Sequence, residues 1–219
     1  MDPITIDGVL YRLATRSDRG ILQEALRKYF YPEEPSTFAY YGGSEVTPDD
    51  MESSLRIIDD GFMILAIEEE SCKVIGFAGA YIIGPDQADR LKKLADKAET
   101  EKFADILRLL AHLSEKTQVC QRFGVDRAYY LTLGGVDPNF RGKSLGIVMT
   151  RQHLKMALNR GIRVFSADCT GPYSARACQR LGMECVYSLP YGDFKNAAGQ
   201  QLFLSKREYS EFKSFVMKL

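Results

Sequence analysis

The chain is poor in several features that would narrow its function. It contains no tryptophan, only two histidines, and 29 basic against 29 acidic residues over a length of 219. A protein that holds nucleic acid presents a basic surface, so a net charge of zero disfavours a nucleic-acid partner. His112 and His153 have no further ligand at metal-binding spacing, so we expect both to be structural or surface residues and expect no metal site.

Cysteine usage and hydropathy exclude further classes of protein. The cysteines are odd in number and form no C-x-x-C pair, which disfavours a disulfide framework and a zinc site. The longest weakly polar run, residues 74–84, is shorter than the roughly 20 residues that cross a bilayer as a helix. The first residues show no secretory pattern. We therefore expect a cytoplasmic protein with no membrane association.

The composition, 45% hydrophobic and 26% charged residues, is typical of a globular protein. A chain of this length holds one substantial core, and we expect a single domain over residues 1–219. Periodicity predicts strands at 11–14, 62–67, 73–83, 128–136, 162–169, 183–189, 201–204 and 212–217. It predicts helices at 19–31, 48–58, 144–159 and 173–181, with a helical insertion at about 86–119. This order indicates an α/β (α+β) fold, a mixed, twisted sheet with helices on both faces.

The most informative segment is V-D-P-N-F-R-G-K-S-L-G at residues 136–146. It predicts a strand, a tight turn and a helix start, where N–H groups without intrachain partners converge with the positive end of the helix dipole. Gly142 and Gly146 allow close approach of an anion, and Arg141 adds a cation, which suits a pyrophosphate. The nucleotide-binding patterns G-x-x-x-x-G-K-[ST] and G-x-G-x-x-G are absent, which disfavours a nucleotide triphosphate or a dinucleotide as the ligand. An ordinary Asp-Pro loop is the alternative.

This segment resembles motif A of the GCN5-related N-acetyltransferases (GNATs), R/Q-x-x-G-x-G/A, with Ser144 in place of the first glycine. Y-P-E-E-P at 31–35, Y-S-A-R at 173–176 and G-D-F-K at 192–195 resemble landmarks of the insect-type arylalkylamine N-acetyltransferases, as does the helical insertion. The resemblance implies a GNAT fold with a mostly antiparallel sheet. It also implies an enzyme that transfers acetyl from acetyl-CoA directly to a small primary amine, either an arylalkylamine such as dopamine, serotonin or tyramine, or a polyamine-like amine. We expect a monomer.

The resemblance places the coenzyme site at the end of one strand, the turn and the following helix start. The residues it assigns are Gly135, Val136, Arg141, Gly142, Lys143, Ser144, Leu145, Gly146 and Ile147. The pair Gly134-Gly135 predicts a β-bulge or a close backbone approach beside the coenzyme, with a plain strand end as the alternative. Ser144 keeps the backbone donor but adds a side chain near the phosphates.

Acyl transfer to an amine needs a base, because a primary amine with a pKa of about 10.4 is neutral in only about one molecule in a thousand at pH 7. The resemblance makes Glu34 that base, whereas the residues alone also fit a solvated loop acid beside Glu33. It assigns Ser174 and Thr170 to the active site, as proton relay or as acid toward the leaving thiolate, and a helix cap is the alternative for Ser174. Nearby aromatic residues fit either an amine pocket or the core. They are Phe30, Tyr31, Phe38, Tyr40 and Tyr41.

Three departures from the family pattern support other hypotheses. Ser144 replaces a glycine, Cys178 stands where many GNATs have a tyrosine acid, and residues 202–219 contain no histidine. Tyr173 is a candidate substitute for that tyrosine. These departures fit a catalytically weak acyl-CoA-binding or regulatory protein with the same fold. A third hypothesis is a protein or peptide N-acetyltransferase.

Overall fold

An eight-stranded sheet is the centre of the computed structural model, which describes residues 1–204 and 211–219. Its strands are β1 Ile4–Ile6, β2 Val9–Leu13, β3 Met63–Glu68, β4 Val74–Ile83, β5 Ala128–Val136, β6 Val164–Cys169, β7 Glu184–Pro190 and β8 Glu211–Lys218. They are ordered β1-β2-β3-β4-β5-β6-β8-β7. The neighbouring pairs are antiparallel except β5–β6, which is parallel. The predicted mixed, mostly antiparallel sheet is confirmed.

Helices occupy the connections between strands. They are α1 Arg19–Ala25, α2 Pro35–Phe38, α3 Pro48–Arg56, α4 Gln87–Ala95, α5 Glu101–Thr117, α6 Val119–Phe123, α7 Leu145–Asn159 and α8 Pro172–Arg180. A π-helical turn, Leu26–Phe30, continues α1, so the helix predicted at 19–31 changes its hydrogen-bond pattern halfway. The segment between β4 and β5, predicted as helical over 86–119, holds α4, α5 and α6 and remains helical to Phe123.

Apolar cores lie on both faces of the sheet, because successive side chains of a strand point to opposite sides. Ile64 and Ala66 of β3 pack in one core with Met149 of α7. Their neighbours Met63 and Leu65 pack in the other core, together with residues of α1 and α3. Helices therefore cover both faces, as predicted.

β5 and β6 diverge after a short paired stretch. Their parallel pairing comprises Tyr129↔Phe165, Tyr130↔Ser166 and Leu131↔Ala167. β5 then continues along β4 and β6 along β8, with no further pairing between the two in the described part of the chain. A gap thus opens between central strands at their C-terminal ends, the edge at which ligands of open α/β sheets bind.

A β-bulge lies in β5 at Thr132. Leu131 pairs with Ala80 and Leu133 pairs with Gly79, which leaves Thr132 as the extra residue. The irregularity begins where β5 leaves β6, and a bulge bends the strand that contains it. The bulge therefore accompanies the opening of the gap.

The bulge predicted at Gly134-Gly135 is wrong. Both glycines pair regularly, Gly134 with Ala78 and Gly135 with Phe77. Gly135 is nevertheless a point of close approach, since a Cβ there would lie 2.6 Å from Cζ of Phe77. Here the absence of a side chain makes room for an aromatic ring of the neighbouring strand.

The first strand, β1, was not predicted, although the sequence contains a dipeptide typical of the turn that follows it. Ile6 pairs with Val9, so Asp7 and Gly8 form a two-residue hairpin loop. Their φ angles are 50° and 74°, which is the conformation that an Asp-Gly pair favours in such turns. The signal was the dipeptide, and β2 accordingly begins at Val9 rather than at the predicted residue 11.

The strand predicted at 201–204 is wrong. Gln201 and Phe203 make isolated bridges to Lys195 and Tyr40, and residues 202 and 204 exchange backbone hydrogen bonds with residues 41 and 39. The segment thus attaches to the loop after α2 rather than to the sheet. Leu202 and Phe203 are both buried in a separate apolar cluster, so the alternation of a sheet strand is lost.

The buried His153 predicts a stability change in mild acid. Its Nδ1 lies 2.8 Å from the Tyr129 hydroxyl and its Nε2 lies 3.1 Å from the Ala78 carbonyl oxygen. Burial lowers the pKa of His153 from 6.5 to about 4. Between these values the unfolded chain binds a proton that the folded chain refuses, so stability is complete near neutral pH and falls as the pH drops. We expect a loss of about 3 kcal/mol in the free energy of unfolding by pH 4.

The measurement is urea unfolding of the native chain and of His153→Gln at several pH values. The variant should lose this part of the acid dependence, whereas His112→Gln should keep most of it, because His112 is partly exposed. An identical pH slope for the native chain and His153→Gln would contradict the assignment.

Candidate active site

The turn between β5 and α7, residues 137–147, is termed the cradle. After β5 the chain makes a 3₁₀ turn, Pro138–Phe140, shaped by the Asp137 carboxylate, which accepts the Asn139 amide at 2.9 Å. Gly142 and Ser144 then take positive φ angles of 82° and 61°. No acceptor in the described part of the chain binds the backbone amides of residues 142–147. These amides point out of the start of a 15-residue helix, where the dipole adds positive potential.

Space beside the cradle is open. A Cβ built on Gly142 or on Gly146 would have no atom within 4 Å. Gly142 is thus required for its positive φ rather than for packing, and the position of Gly146 leaves room for a ligand. Lys143 lies with its Nζ 4.9 Å from the centre of the Phe140 ring, so a second cation is held at the cradle.

Arg141 is already paired in this structure. Its guanidinium lies 2.6 Å from a carboxylate oxygen of Glu33, and both side chains are about half exposed. Glu33 lies 108 residues before Arg141 in the sequence, so this ion pair joins the segment that carries Glu34 to motif A. The pKa of Tyr29 is raised by burial and then by the carboxylate of Asp137, so the same two segments also meet here.

Glu34 is a buried helix cap and not a solvated loop acid. Its side chain is 8% exposed and sits at the start of α2, with Pro35 in the first helical position. Its Oε2 accepts the Ser36 hydroxyl at 2.6 Å, the Thr37 amide at 2.6 Å and the Thr37 hydroxyl at 2.8 Å. Its Oε1 accepts the Ser36 amide at 3.1 Å. The carboxylate is therefore fixed in place, with spare acceptor capacity on Oε1.

The π-helical turn precedes this acid directly. Its defining hydrogen bond runs from the Tyr31 amide to the Leu26 carbonyl oxygen, five residues back. Such turns occur mostly as single insertions in helices and often at functional sites. Phe30, the last residue of the turn, packs edge-on against Phe77, the same ring that covers Gly135.

Thr170 and Ser174 lie at the other side of the gap, after the end of β6. Gly171, not Ser174, is the N-cap of α8, so the cap interpretation of Ser174 is wrong. The exposed Ser174 hydroxyl donates to the Gly171 carbonyl oxygen at 3.0 Å. Thr170 is held through its carbonyl oxygen, which accepts the Tyr191 hydroxyl. Both residues thus lie in the short segment that follows the end of β6, and hydrogen bonds hold the backbone of that segment in place.

Cys178 is buried beside a second thiol. Its Sγ lies 3.6 Å from Sγ of Cys169, the last residue of β6. The contact with Cys178 and burial raise the pKa of Cys169 well above its ordinary value. Tyr173, the candidate substitute for the missing tyrosine, is 71% exposed, with the Arg176 guanidinium 5.0 Å from its ring.

The aromatic residues near Glu34 divide between core and surface. Tyr31 and Tyr40 are 3% and 4% exposed and pack with other side chains, and Tyr41 is 43% exposed. Phe30 and Phe38 are partly buried against two different apolar clusters. The packing role therefore accounts for most of them.

The helical insertion is fastened to the segment after Glu34 by residues that the sequence did not single out. Lys102 of α5 is 8% exposed and donates through Nζ to the carbonyl oxygens of Thr37, Gly43 and Glu45, at 3.0, 2.7 and 2.8 Å. A lysine within a helical pattern is predicted to be exposed to solvent. Only the tertiary partners of Lys102 show that it is buried.

Two further links run the same way. The Tyr40 hydroxyl donates to the buried Asp105 carboxylate at 2.8 Å. The Asp49 carboxylate accepts the Thr100 amide at 2.9 Å and the Thr100 hydroxyl at 2.8 Å, at the first turn of α5. The insertion is thus joined both to the loop after α2 and to α3.

The described residues hold no group of three histidine, cysteine, aspartate or glutamate side chains arranged to bind a metal ion. None of the helices in that part of the chain has the length and apolar character of a membrane span.

Comparison with solved structures gives the family. The mosquito arylalkylamine N-acetyltransferase like 5b superposes with a TM-score of 0.93 at 33% identity, over 96% of this chain and 100% of that one. The Drosophila melanogaster polyamine N-acetyltransferase, an enzyme that forms N-acetylagmatine, gives 0.90 at 29% identity, over 96% and 100%. Arabidopsis thaliana NAA60 in complex with acetyl-CoA gives 0.58 at 15% identity, over 96% and 98%, which is a likeness of fold alone. No family model matches the sequence.

The chain therefore belongs to the insect arylalkylamine N-acetyltransferases of the GNAT superfamily. By fold and family it is an acyltransferase.

Proposed function

We propose that this chain is an acetyl-CoA-dependent N-acetyltransferase of the cytoplasm that transfers acetyl directly to a small primary amine. One observation carries the proposal: the segment holding Glu34 is joined to an anion cradle with free amides, through Glu33 and Arg141. The carboxylate of Glu34 and the turn that we propose to bind phosphate thus belong to segments joined by an ion pair. Transfer from a nucleotide-bearing thioester to an amine requires that combination.

The cradle fits the pyrophosphate of the coenzyme. The amides of residues 142–147 supply donors, Lys143 supplies a cation, and Arg141 supplies another once it leaves Glu33. Acetyl-CoA brings the acetyl group as a thioester. The unpaired edge of β5 beyond Leu131 offers backbone groups to the rest of the coenzyme.

On the amine side, Glu34 attracts the ammonium form of the substrate and accepts a proton from it. The free capacity of Oε1 allows this contact without loss of the four hydrogen bonds that hold the carboxylate. Ser174 and Thr170 stand at the opposite wall, from which a hydroxyl can deliver a proton to the leaving thiolate. Orientation of two bound reactants supplies much of the rate.

The test is a thiol-release assay with acetyl-CoA and a panel of dopamine, serotonin, tyramine, agmatine and a short peptide. We expect turnover with at least one free amine and a preference for it over the peptide. Coenzyme binding at micromolar concentration without turnover of any amine would favour a catalytically weak binding protein. Preference for the peptide would favour a peptide N-acetyltransferase.

Glu34→Gln should lower kcat/KM at neutral pH by about 10²–10⁴-fold, the range typical of a lost general base. The measurement is steady-state kinetics across pH, with the melting temperature recorded because the residue also caps α2. Glu24→Gln is the control, since it removes an exposed carboxylate of α1 that pairs with Lys28, and it should change kcat/KM far less. An unchanged pH–rate profile in Glu34→Gln would remove Glu34 from this role.

Arg141→Ala should weaken coenzyme binding several-fold more than amine binding, because the guanidinium is a ligand of phosphate. Calorimetric titration with coenzyme A and KM for the amine measure the two effects. Glu33→Gln leaves the cation in place and should not weaken coenzyme binding. Equal weakening of coenzyme and amine by Arg141→Ala would contradict the cradle.

A further inference from the structure

The short helix α2 is bound at both ends by charged side chains. It has only four residues, and its backbone closes where the Ala39 amide donates to the Pro35 carbonyl oxygen. A single helical turn is not stable by itself, because nucleation of a helix fixes several residues for one hydrogen bond. The turn therefore depends on the groups that bind its ends, which are the Glu34 carboxylate at the start and the Lys102 ammonium near the end.

We propose that Lys102 is a positioning residue for amine acetylation, which acts on the Glu34 carboxylate through Thr37. The inference rests on the proposed function, in which Glu34 accepts a proton from the amine. Lys102 keeps the carboxylate in one place before the amine binds, and it need not touch the substrate.

Thr37 contacts both charged groups. Its carbonyl oxygen accepts a hydrogen bond from the Lys102 ammonium at 3.0 Å, whereas its amide and its hydroxyl donate to Oε2 of Glu34 at 2.6 and 2.8 Å. Thr37 is 1% exposed, and Glu34 and Lys102 are each 8% exposed, so water has little access to replace these contacts. Two of the four hydrogen bonds that hold Glu34 thus come from the residue that Lys102 binds.

The ammonium of Lys102 has no donor left for another role. A lysine carries three N–H donors, and Nζ binds three backbone carbonyl oxygens, those of Thr37, Gly43 and Glu45. Carbonyl oxygens that are withdrawn from water need a donor, and a charged donor makes the stronger hydrogen bond. Lys102 therefore organises the loop after α2 instead of binding the amine or the coenzyme.

Lys102 connects α2 with a distant and much longer element. It lies in the first turn of the 17-residue helix α5, 65 residues from Thr37 in the sequence. One turn further along α5, the Asp105 carboxylate accepts the Tyr40 hydroxyl, so the same face of the helix binds the loop twice. A group held by a regular helix is placed more precisely than one held by a loop. The Glu34 carboxylate is therefore positioned relative to α5.

Position matters for a group that accepts a proton. The acceptor must lie within hydrogen-bond distance of the N–H group, and a displacement of about 1 Å can cost about a hundredfold in rate. Without the contacts from Thr37, Glu34 would keep only those from the amide and the hydroxyl of Ser36. Fewer molecules would then hold the carboxylate in the productive arrangement, so loss of Lys102 should lower kcat.

The test is steady-state kinetics and calorimetric titration with coenzyme A for Lys102→Met, which keeps the length of the side chain and removes its three donors. We expect kcat to fall about ten- to a hundredfold, whereas Kd for coenzyme A should change less than about twofold. Lys116→Met is the control, since it removes an exposed lysine from the last turn of the same helix and should change neither quantity. Equal loss of kcat and of coenzyme affinity in Lys102→Met would contradict the proposal.

Two comparisons separate positioning from a merely structural role. In a Glu34→Gln background, Lys102→Met should lower kcat/KM less than about twofold, because the group that it positions is already lost. Tyr40→Phe removes the other contact between the loop and α5 but touches neither Thr37 nor Glu34, so it should lower kcat less than Lys102→Met does. Equal effects of Lys102→Met in the native and Glu34→Gln backgrounds would overturn the proposal.

A second readout does not depend on turnover. Hydrogen–deuterium exchange of the Thr37 and Ala39 amides reports whether α2 is closed. Both amides should exchange about tenfold or more faster in Lys102→Met than in the native chain, while the Met51 amide of α3 should keep its rate. Exchange of the Thr37 and Ala39 amides at the native rate in Lys102→Met would overturn the inference by itself.

The exchange measurement also separates this inference from the proposed function. If the enzyme acetylates no amine, the proposed function fails, and the exchange rates still decide whether Lys102 holds α2. Lys102→Arg keeps the charge but spreads its donors in a plane, so it should show the same changes to a smaller degree. It replaces Lys102→Met in every comparison should that variant not fold, and native behaviour of Lys102→Arg would then overturn the inference.

Discussion

The candidate site depends on backbone amides that have no acceptor in the described part of the chain. A buried or half-buried N–H group costs free energy unless something accepts it, and the six amides of residues 142–147 are satisfied by no acceptor in the described chain. The fold tolerates this because the amides face open space at the end of the sheet, where water or an anion can reach them. β5 leaves β6 just upstream, and its bulge at Thr132 accompanies that divergence. The same course of β5 therefore opens the gap and leads into the cradle.

The loop after α2 is held by tertiary contacts rather than by the sheet. Lys102 and Asp105 of the insertion bind the loop after α2, and residues 201–204 pair with that loop from the other side. Arg141 and Glu33 join the loop's beginning to the cradle. A site assembled this way places its acids by contacts that are distant in sequence.

Most of the fold was predictable because its elements follow local rules. Alternating and 3.6-residue apolar patterns located β3 to β8 and the long helices. The motif A sequence located the turn between β5 and α7. The errors have local causes as well. The Asp-Gly turn before β2 indicates a hairpin, but β1 was missed because its three residues carry little periodicity. Residues 201–204 look like a strand by composition, yet they bury consecutive side chains against a loop.

The site was harder to predict because its residues act through neighbours that only the fold supplies. Glu34 could be named from its Glu-Pro pair, but its four hydrogen bonds arise from how α2 begins. Lys102 belongs to a helix with an ordinary charged surface, and nothing in its local pattern separates it from a solvated residue. Its importance comes from the carbonyl oxygens of the loop after α2, which it reaches only when α5 packs against that loop.

The π-helical turn at Leu26–Phe30 has a consequence for how this site can tolerate change in chain length. A turn closed by a five-residue hydrogen bond holds one residue more than a regular α-helical turn, so everything after it is rotated by about 100° about the helix axis. With this rotation Tyr31 points inward. The Glu33 carboxylate points outward to a guanidinium, whereas the Glu34 carboxylate points inward and caps α2. Loss of a single residue here would restore an uninterrupted helix and turn both acids away from the gap, even though every side chain of the motif was still present.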